Sequence, residues 1–166
     1  RSGPVTRTIA SYVRYYREWG EVWERQALLR ANVVAGDREV GERFLSAIAE
    51  FRYPEAGATP ADIREIRRIK ARVDNERLPR GADPSRHVKL GRGGLSDVEW
   101  LVQSLQLRHA GEVEDLRVTG TLPALRAIAR HGLLPEAEVA DQVEEPKPSE
   151  DNSPEPAEEP KPQEAK

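Results

Sequence analysis

Between Ser11 and Arg130, apolar residues recur every three or four positions in successive runs, and each run is bounded by Gly, Pro or a capping side chain. That period places the apolar residues of a run on one face of a helix. The pattern predicts an all-α bundle of five or six helices.

The first run, Tyr12, Tyr15, Tyr16, Trp19, Val22, Trp23 and Ala27, predicts one helix from Ser11 to about Ala31, with Gly20 tolerated inside it. Its inner face would carry two Trp and up to three Tyr. A large side chain contributes roughly 1.5–3 kcal/mol when fully buried, so this face is expected to anchor the core. The same stripe could stack nucleic-acid bases; aromatics dominate cores, which favours packing.

Asp37 is placed to cap a second helix whose inner face is Val40, Phe44, Ile48 and Phe51, ending near Tyr53-Pro54. Thr59-Pro60-Ala61-Asp62 opens a third, with Thr59 at the N-cap, Pro60 at N1 and Asp62 at N3. Ile63, Ile66, Ile69 and Val73 line its inner side, and it stops by Leu78-Pro79. Between Ile63 and Val73 it carries Arg64, Arg67, Arg68, Lys70 and Arg72 against Glu65 alone. Arg64, Arg68 and Arg72 stack at i, i+4 and i+8, which costs about 0.2–0.5 kcal/mol per neighbouring pair unless something anionic lies alongside. Carboxylates of neighbouring helices would serve; so would a polyphosphate or an acidic partner.

Residues 79–94 form a long polar connection that ends in K-L-G-R-G-G, and L-S-D-V-E-W follows. Gly91, Gly93 and Gly94 permit tight turns and close approach to the backbone. Ser96 and Glu99 have capping-box spacing, so the loop should deliver the chain into the N-terminus of a fourth helix, Ser96 to about Ala110. Unpaired amides there, with the charges of Lys89 and Arg92, could hold a phosphate. The competing reading is a tight joint in which the glycines only turn and pack. The segment matches neither the phosphate-binding loop of nucleoside triphosphatases nor the dinucleotide fingerprint. A fifth helix is expected over Thr121–Arg130, and a sixth starts in Leu133–Ala140.

The sequence contains no Cys, which removes disulfides and thiolate metal sites. His87, His109 and His131 are too scattered for metal-ligand spacing. No apolar run is long enough to span a membrane, and a soluble, cytoplasmic protein is the default. The chain lacks Met and starts R-S-G-P, which reads as a piece of a longer protein. Residues 1–142 are expected to form the helical domain. Residues 143–166 hold six Pro and eight carboxylates against three Lys, a net charge of −5 that leaves +2 for the rest. They repeat E-E-P-K-P and contain one Val and no aromatic residue. Such a composition cannot offset ordering entropy and predicts a disordered tail. Its charge suggests a return onto the basic third helix. A net +2 over residues 1–142 gives little support to nucleic-acid binding.

Three segments read together resemble the glutamine synthetase adenylyltransferase family: W-E-R-Q-A-L-L-R-A-N-V-V-A-G-D (23–37), R-E-I-R-R-I-K-A-R-V (64–73) and K-L-G-R-G-G-L-S-D-V-E-W (89–100). The resemblance covers about residues 1–140. R-I-K-A-R-V followed by E-R-L-P-R-G-A-D-P is similar to the second, adenylylating half. Asn32 stands where the family carries a basic residue. The resemblance implies a helical domain that follows a nucleotidyltransferase core, in an enzyme that uses ATP and Mg²⁺ to modify and de-modify a tyrosine of glutamine synthetase. It also implies glutamine synthetase as partner, and a PII-type signal protein as a further one. The family's metal-binding G-S-x-D motif does not occur in this sequence, and Asp97 and Glu99 do not sit in the family's metal position. No catalytic or metal-binding residue is therefore assigned, and the isolated chain is expected to be inactive. The candidates for nucleotide contact are Lys89, Gly91, Arg92, Gly93 and Gly94, with Arg30 and Lys70 behind them. The alternative is a non-catalytic helical module that binds glutamine synthetase or a PII-type regulator.

Overall fold

The computed structural model describes residues 6–77, 79, 81, 83 and 86–134. The expected sixth helix, Leu133–Ala140, lies outside them from residue 135 onward, as does the 143–166 tail. Among the described residues the protein is all helical, with seven α-helices, one 3-10 turn and no strand.

The first predicted helix is two helices. α1 (Ile9–Trp19) ends at Gly20, whose backbone is extended, and α2 (Val22–Leu28) starts afresh. Glu24 turns back to accept the amide of Glu21 at 3.1 Å, which gives α2 its own N-terminal cap. A Cβ on Gly20 would lie 2.4 Å from the carbonyl oxygen of Tyr16, so the chain passes too close there for any other residue. The aromatic stripe is not the core. Trp19 is 71% exposed and Trp23 38%, and the tyrosines are half-buried. α1 lies at the edge of the bundle, with Tyr12 edge-on to Phe44 at 5.3 Å and Tyr16 against Phe51 at 5.8 Å.

The second predicted helix also divides, at Ile48, into α3 (Arg38–Ala47) and the single turn α4 (Ala49–Arg52). Asp37 caps α3 by accepting the Val40 amide at 3.0 Å. Ile48 and Phe51 are buried as expected, whereas Val40 is exposed. α5 (Pro60–Arg77) starts where the cap predicts. Thr59 Oγ1 accepts the Asp62 amide at 3.1 Å and Asp62 Oδ2 accepts the Thr59 amide at 2.9 Å, a reciprocal cap.

Aliphatic side chains of the later helices build the core. α6 (Leu95–His109) and α7 (Thr121–Arg130) enclose Val102, Leu105, Leu116, Ala124, Leu125, Ala127 and Ile128. Leu29, Ile66 and Leu107 form a second cluster where α2, α5 and α6 meet. Tyr53 packs on both clusters, with the guanidinium of Arg52 4.9 Å from its ring centroid. Buried polar groups are paired across elements. Gln106 donates to the carbonyls of Leu116 at 2.8 Å and Val118 at 2.7 Å, and Gln26 donates to Gln103 at 2.8 Å. These bonds fix α6, the element that carries the glycine-rich loop at its head.

Candidate functional site

The loop from His87 to Gly94 is a knot of short hydrogen bonds. His87 receives the Leu90 amide on Nδ1 at 3.0 Å and the Gly91 amide on its carbonyl at 2.7 Å. The Gly91 carbonyl takes the Gly94 amide at 2.9 Å. The Val88 and Lys89 carbonyls take the amides of Leu95 and Ser96, each at 3.0 Å. Gly93 has φ of +71°, a conformation that other residues adopt only with strain. A Cβ on Gly94 would lie 2.6 Å from the Val88 oxygen.

The expected capping box does not form. The N-cap of α6 is Gly94 and no side chain caps it. Ser96 is buried instead, its amide turned onto Lys89, and Glu99 lies 3.9 Å from Arg30. The side chain that meets the positive end of the helix is Asp97. Its Oδ2 accepts the Gly93 amide at 2.8 Å, and its Oδ1 takes a 2.5 Å hydrogen bond from Lys70 Nζ. Lys70 also bonds Asp74, one helical turn on, at 2.6 Å. A carboxylate thus stands where an external anion could sit at a helix N-terminus, and a lysine from α5 neutralises it.

The electrostatics follow. The hydrogen bond from Lys70 holds the Asp97 carboxyl below the usual carboxylate range, against the opposing effect of partial burial, and the Gly93 amide adds to the lowering. Burial alone would lower the Lys70 ammonium, but its hydrogen bonds to Asp74 and Asp97 outweigh that and raise it. The basic third helix of the sequence analysis is therefore partly satisfied by carboxylates. Lys70 is paired to α5 and α6, and Arg68 to Glu65 of its own helix at 2.7 Å.

The structure brings Lys70 to the same cluster as Gly93. Gly91 is buried, while Lys89 and Arg92 are exposed and have no hydrogen-bond or ion-pair partner among the described residues. Arg30 is held elsewhere, with Nη1 donating to Thr121 Oγ1 at 3.1 Å. Sequence reasoning missed Asp97 as the residue that holds the loop. The signal was an acidic side chain in the first turn of a helix that also carries a better-known cap pattern. Among the described residues no group of three or more His, Asp or Glu is placed to hold a metal ion. The convergent pair Asp74 and Asp97 already shares one ammonium, so these residues do not fit Mg²⁺. No helix of the described residues is long and apolar enough to cross a membrane.

Two family models match the sequence. Residues 1–47 match the model for glutamate-ammonia ligase adenylyltransferase, and residues 66–146 match the model for the PII-uridylyltransferase. Curated relatives share long stretches. The bifunctional glutamine synthetase adenylyltransferase/adenylyl-removing enzyme of Mycobacterium avium is 62% identical over 139 residues, 84% of this chain and 14% of the relative. The same enzyme of Corynebacterium glutamicum is 60% identical over 134 residues, 81% of this chain and 13% of the relative. That of Nocardia farcinica is 60% identical over 140 residues, 84% and 14% respectively. The chain thus spans about a seventh of the length of these relatives.

Proposed function

Because the chain belongs to the glutamine synthetase adenylyltransferase family, we propose that it serves as a helical portion following the nucleotidyltransferase core in the second, adenylylating half of such an enzyme. The observation that carries this reading is 62% identity over 139 residues to an enzyme whose name states the activity. The enzyme would modify and de-modify a tyrosine of glutamine synthetase with ATP as nucleotide donor. Mg²⁺, which the family implies, would be held outside this chain.

Within this reading Lys89 and Arg92 meet the phosphates. Their side chains are the exposed cations of the glycine-rich loop. The amides of Leu90, Gly91, Gly93 and Gly94 are already bonded, so phosphate contact comes from the two side chains and not from a backbone cradle. Gly91, Gly93 and Gly94 contribute by shaping the loop, and Lys70 acts through Asp97 to hold it. Arg30 is oriented toward Thr121 and Glu99, so any nucleotide contact it makes lies apart from the loop.

The test is AMP transfer to purified glutamine synthetase, measured with this chain alone and with a full-length relative carrying Lys89→Ala and Arg92→Ala at the matching positions. The chain alone should transfer no AMP. The substituted full-length enzyme should show a raised KM for ATP. Transfer by the isolated chain, or an unchanged KM, would refute the reading.

A second reading is favoured by the internal bonding of the loop amides. A loop so bonded can be purely structural, and the helices can then act as a non-catalytic module for glutamine synthetase or a PII-type regulator. Capture of either protein by this chain without nucleotide, undiminished by Lys89→Ala and Arg92→Ala, would support it.

A further inference from the structure

A cleft of about 440 Å³ opens where α2, α5 and α6 meet. Trp23 and Trp100 wall it, Ile69 and Val73 add apolar lining, and its only charged residues are Arg72 and Arg77. Both arginines are exposed, and neither forms a hydrogen bond or an ion pair among the described residues. Glu65, whose carboxyl feels the charge of Arg72, is already bonded to Arg68 at 2.7 Å. The indole faces are equally open. Neither Trp makes a ring contact with another aromatic or a cation among the described residues. Trp23 is held in place by a 2.6 Å hydrogen bond from Nε1 to Glu21. Trp100 also borders a second groove, of about 370 Å³, between α5 and α6, but there Asp74 and Asp97 stand beside Lys70 and the charge is mixed.

The polar part of the cleft is an amide pair. Gln26, 5% exposed, donates from Nε2 to Gln103 Oε1 at 2.8 Å. One oxygen on Gln26 and one NH₂ on Gln103 are then left without a partner among the described residues. The oxygen is not sealed in the interior, because the orphaned side-chain atoms cut off from solvent there belong to Arg25 and Arg52. An acceptor and a donor on neighbouring amides match the N–H and C=O of a peptide unit.

We propose that this cleft docks an extended acidic segment of a partner protein. One aromatic or branched apolar side chain of the segment packs against Trp23 and Trp100, its backbone meets the free amide groups of Gln26 and Gln103, and carboxylates on either side reach Arg72 and Arg77. Trp and Arg are the side chains that anchor protein interfaces most strongly, and a carboxylate on a guanidinium forms a charge-assisted bond. The spacing selects a peptide. Arg72 and Arg77 lie about 7.5 Å apart along the axis of α5 and about 140° apart around it. Their stems leave opposite sides of the strip formed by Ile69 and Val73, which suits two carboxylates spaced along a chain better than one phosphate group. The docking site is separate from the glycine-rich loop and does not depend on phosphate contact there.

The test is selection from a random heptapeptide library on the immobilised full chain, with Arg72→Glu/Arg77→Glu as the counter-target. Both positions are exposed, and an unchanged amide spectrum checks that the variant keeps its fold. Selected peptides should carry an aromatic or branched apolar residue between acidic ones. Added to the isotope-labelled chain, the tightest should shift the indole signals of Trp23 and Trp100 and the side-chain amides of Gln26 and Gln103, and leave the Trp19 indole in place. Trp23→Ala should weaken its binding about tenfold. Peptides without acidic residues, recovery no better than on the charge-reversed variant, or shifts confined to other helices overturn the proposal. AMP moving the same indole signals where no selected peptide does also overturns it, in favour of a nucleotide pocket.

Discussion

Replacing Lys70 by Met tests the brace that joins α5 to the glycine-rich loop. Met retains most of the stem's volume, so packing in the groove is nearly conserved. What is lost is the ammonium held 2.6 Å from Asp74 and 2.5 Å from Asp97. Breaking a fully buried ion pair costs about 3–5 kcal/mol, and an exposed pair is worth about 0.2–1 kcal/mol. The Lys70 side chain is 15% exposed and its partners 35% and 39%, so solvent screens the carboxylate ends. The loss should lie between these limits, about 1.5–2.5 kcal/mol for the two contacts together. Urea unfolding should show a lower midpoint at unchanged slope. The effect should be local too, with faster hydrogen exchange at the Gly93 amide, because Asp97 loses the partner that orients it. In an Asp97→Asn background the cost of Lys70→Met should shrink by about 1 kcal/mol, the coupling expected of directly bonded groups. The pH dependence has a fixed sign. Asp97 is lowered on folding, so its contribution is present above the ordinary carboxylate range and fades as pH falls through the lowered value. Lys70 is raised, so its contribution holds below the ordinary lysine range and fades as pH rises through the raised value. A cost below about 0.5 kcal/mol near neutral pH, with unaltered exchange at Gly93, would refute the brace.

Further outcomes follow from the same packing. Ile128→Ala should cost about 2–5 kcal/mol, because Ile128 is fully buried between α6 and α7, whereas Trp19→Ala should stay within about 0.5 kcal/mol; chemical denaturation of both variants measures the contrast. Gly111→Ala should cost about 1–3 kcal/mol by overpacking, since its Cβ would lie 2.2 Å from the Pro54 carbonyl oxygen, and thermal unfolding reads it directly. Burial lowers the His109 imidazole on folding, and the nearby Arg108 charge adds to this against Glu112. Its contribution to stability should therefore be present above about pH 6.5 and decline as pH falls below that, a decline absent in His109→Gln.

What the sequence made legible was local. Asp37 and the Thr59-Pro60-Asp62 trio each act within one helical turn, and each caps the helix that its spacing predicts. The bounds of α7 were equally plain, because Gly120 and Gly132 flank an apolar run. The break at Gly20 was less visible, since Glu is a weak N-cap and works there only through Glu24. Periodicity also misplaced the core. It reports that Trp19 and Trp23 share a helix face, but not whether another element covers that face, and the short edge helix α1 leaves Trp19 in solvent. The glycine loop was visible as a joint, yet its support came from Lys70 and Asp97, 27 residues apart. No window of helical length connects such a pair. The adjacency of α5 to the head of α6 is a tertiary fact, and it changed the reading of the loop from open amides to a helix end already met by a carboxylate.

The most direct test of the proposed role is an ATP titration of the isotope-labelled chain followed by amide shifts, beside a Lys89→Ala/Arg92→Ala variant. Two exposed charge-assisted contacts, at roughly 1.5–3 kcal/mol each before ordering costs, predict a Kd on the order of 1 mM. The shifts should cluster at residues 87–97 and vanish in the double variant. Absence of shifts, or shifts that persist in the variant, would contradict the assignment of phosphate contact to Lys89 and Arg92.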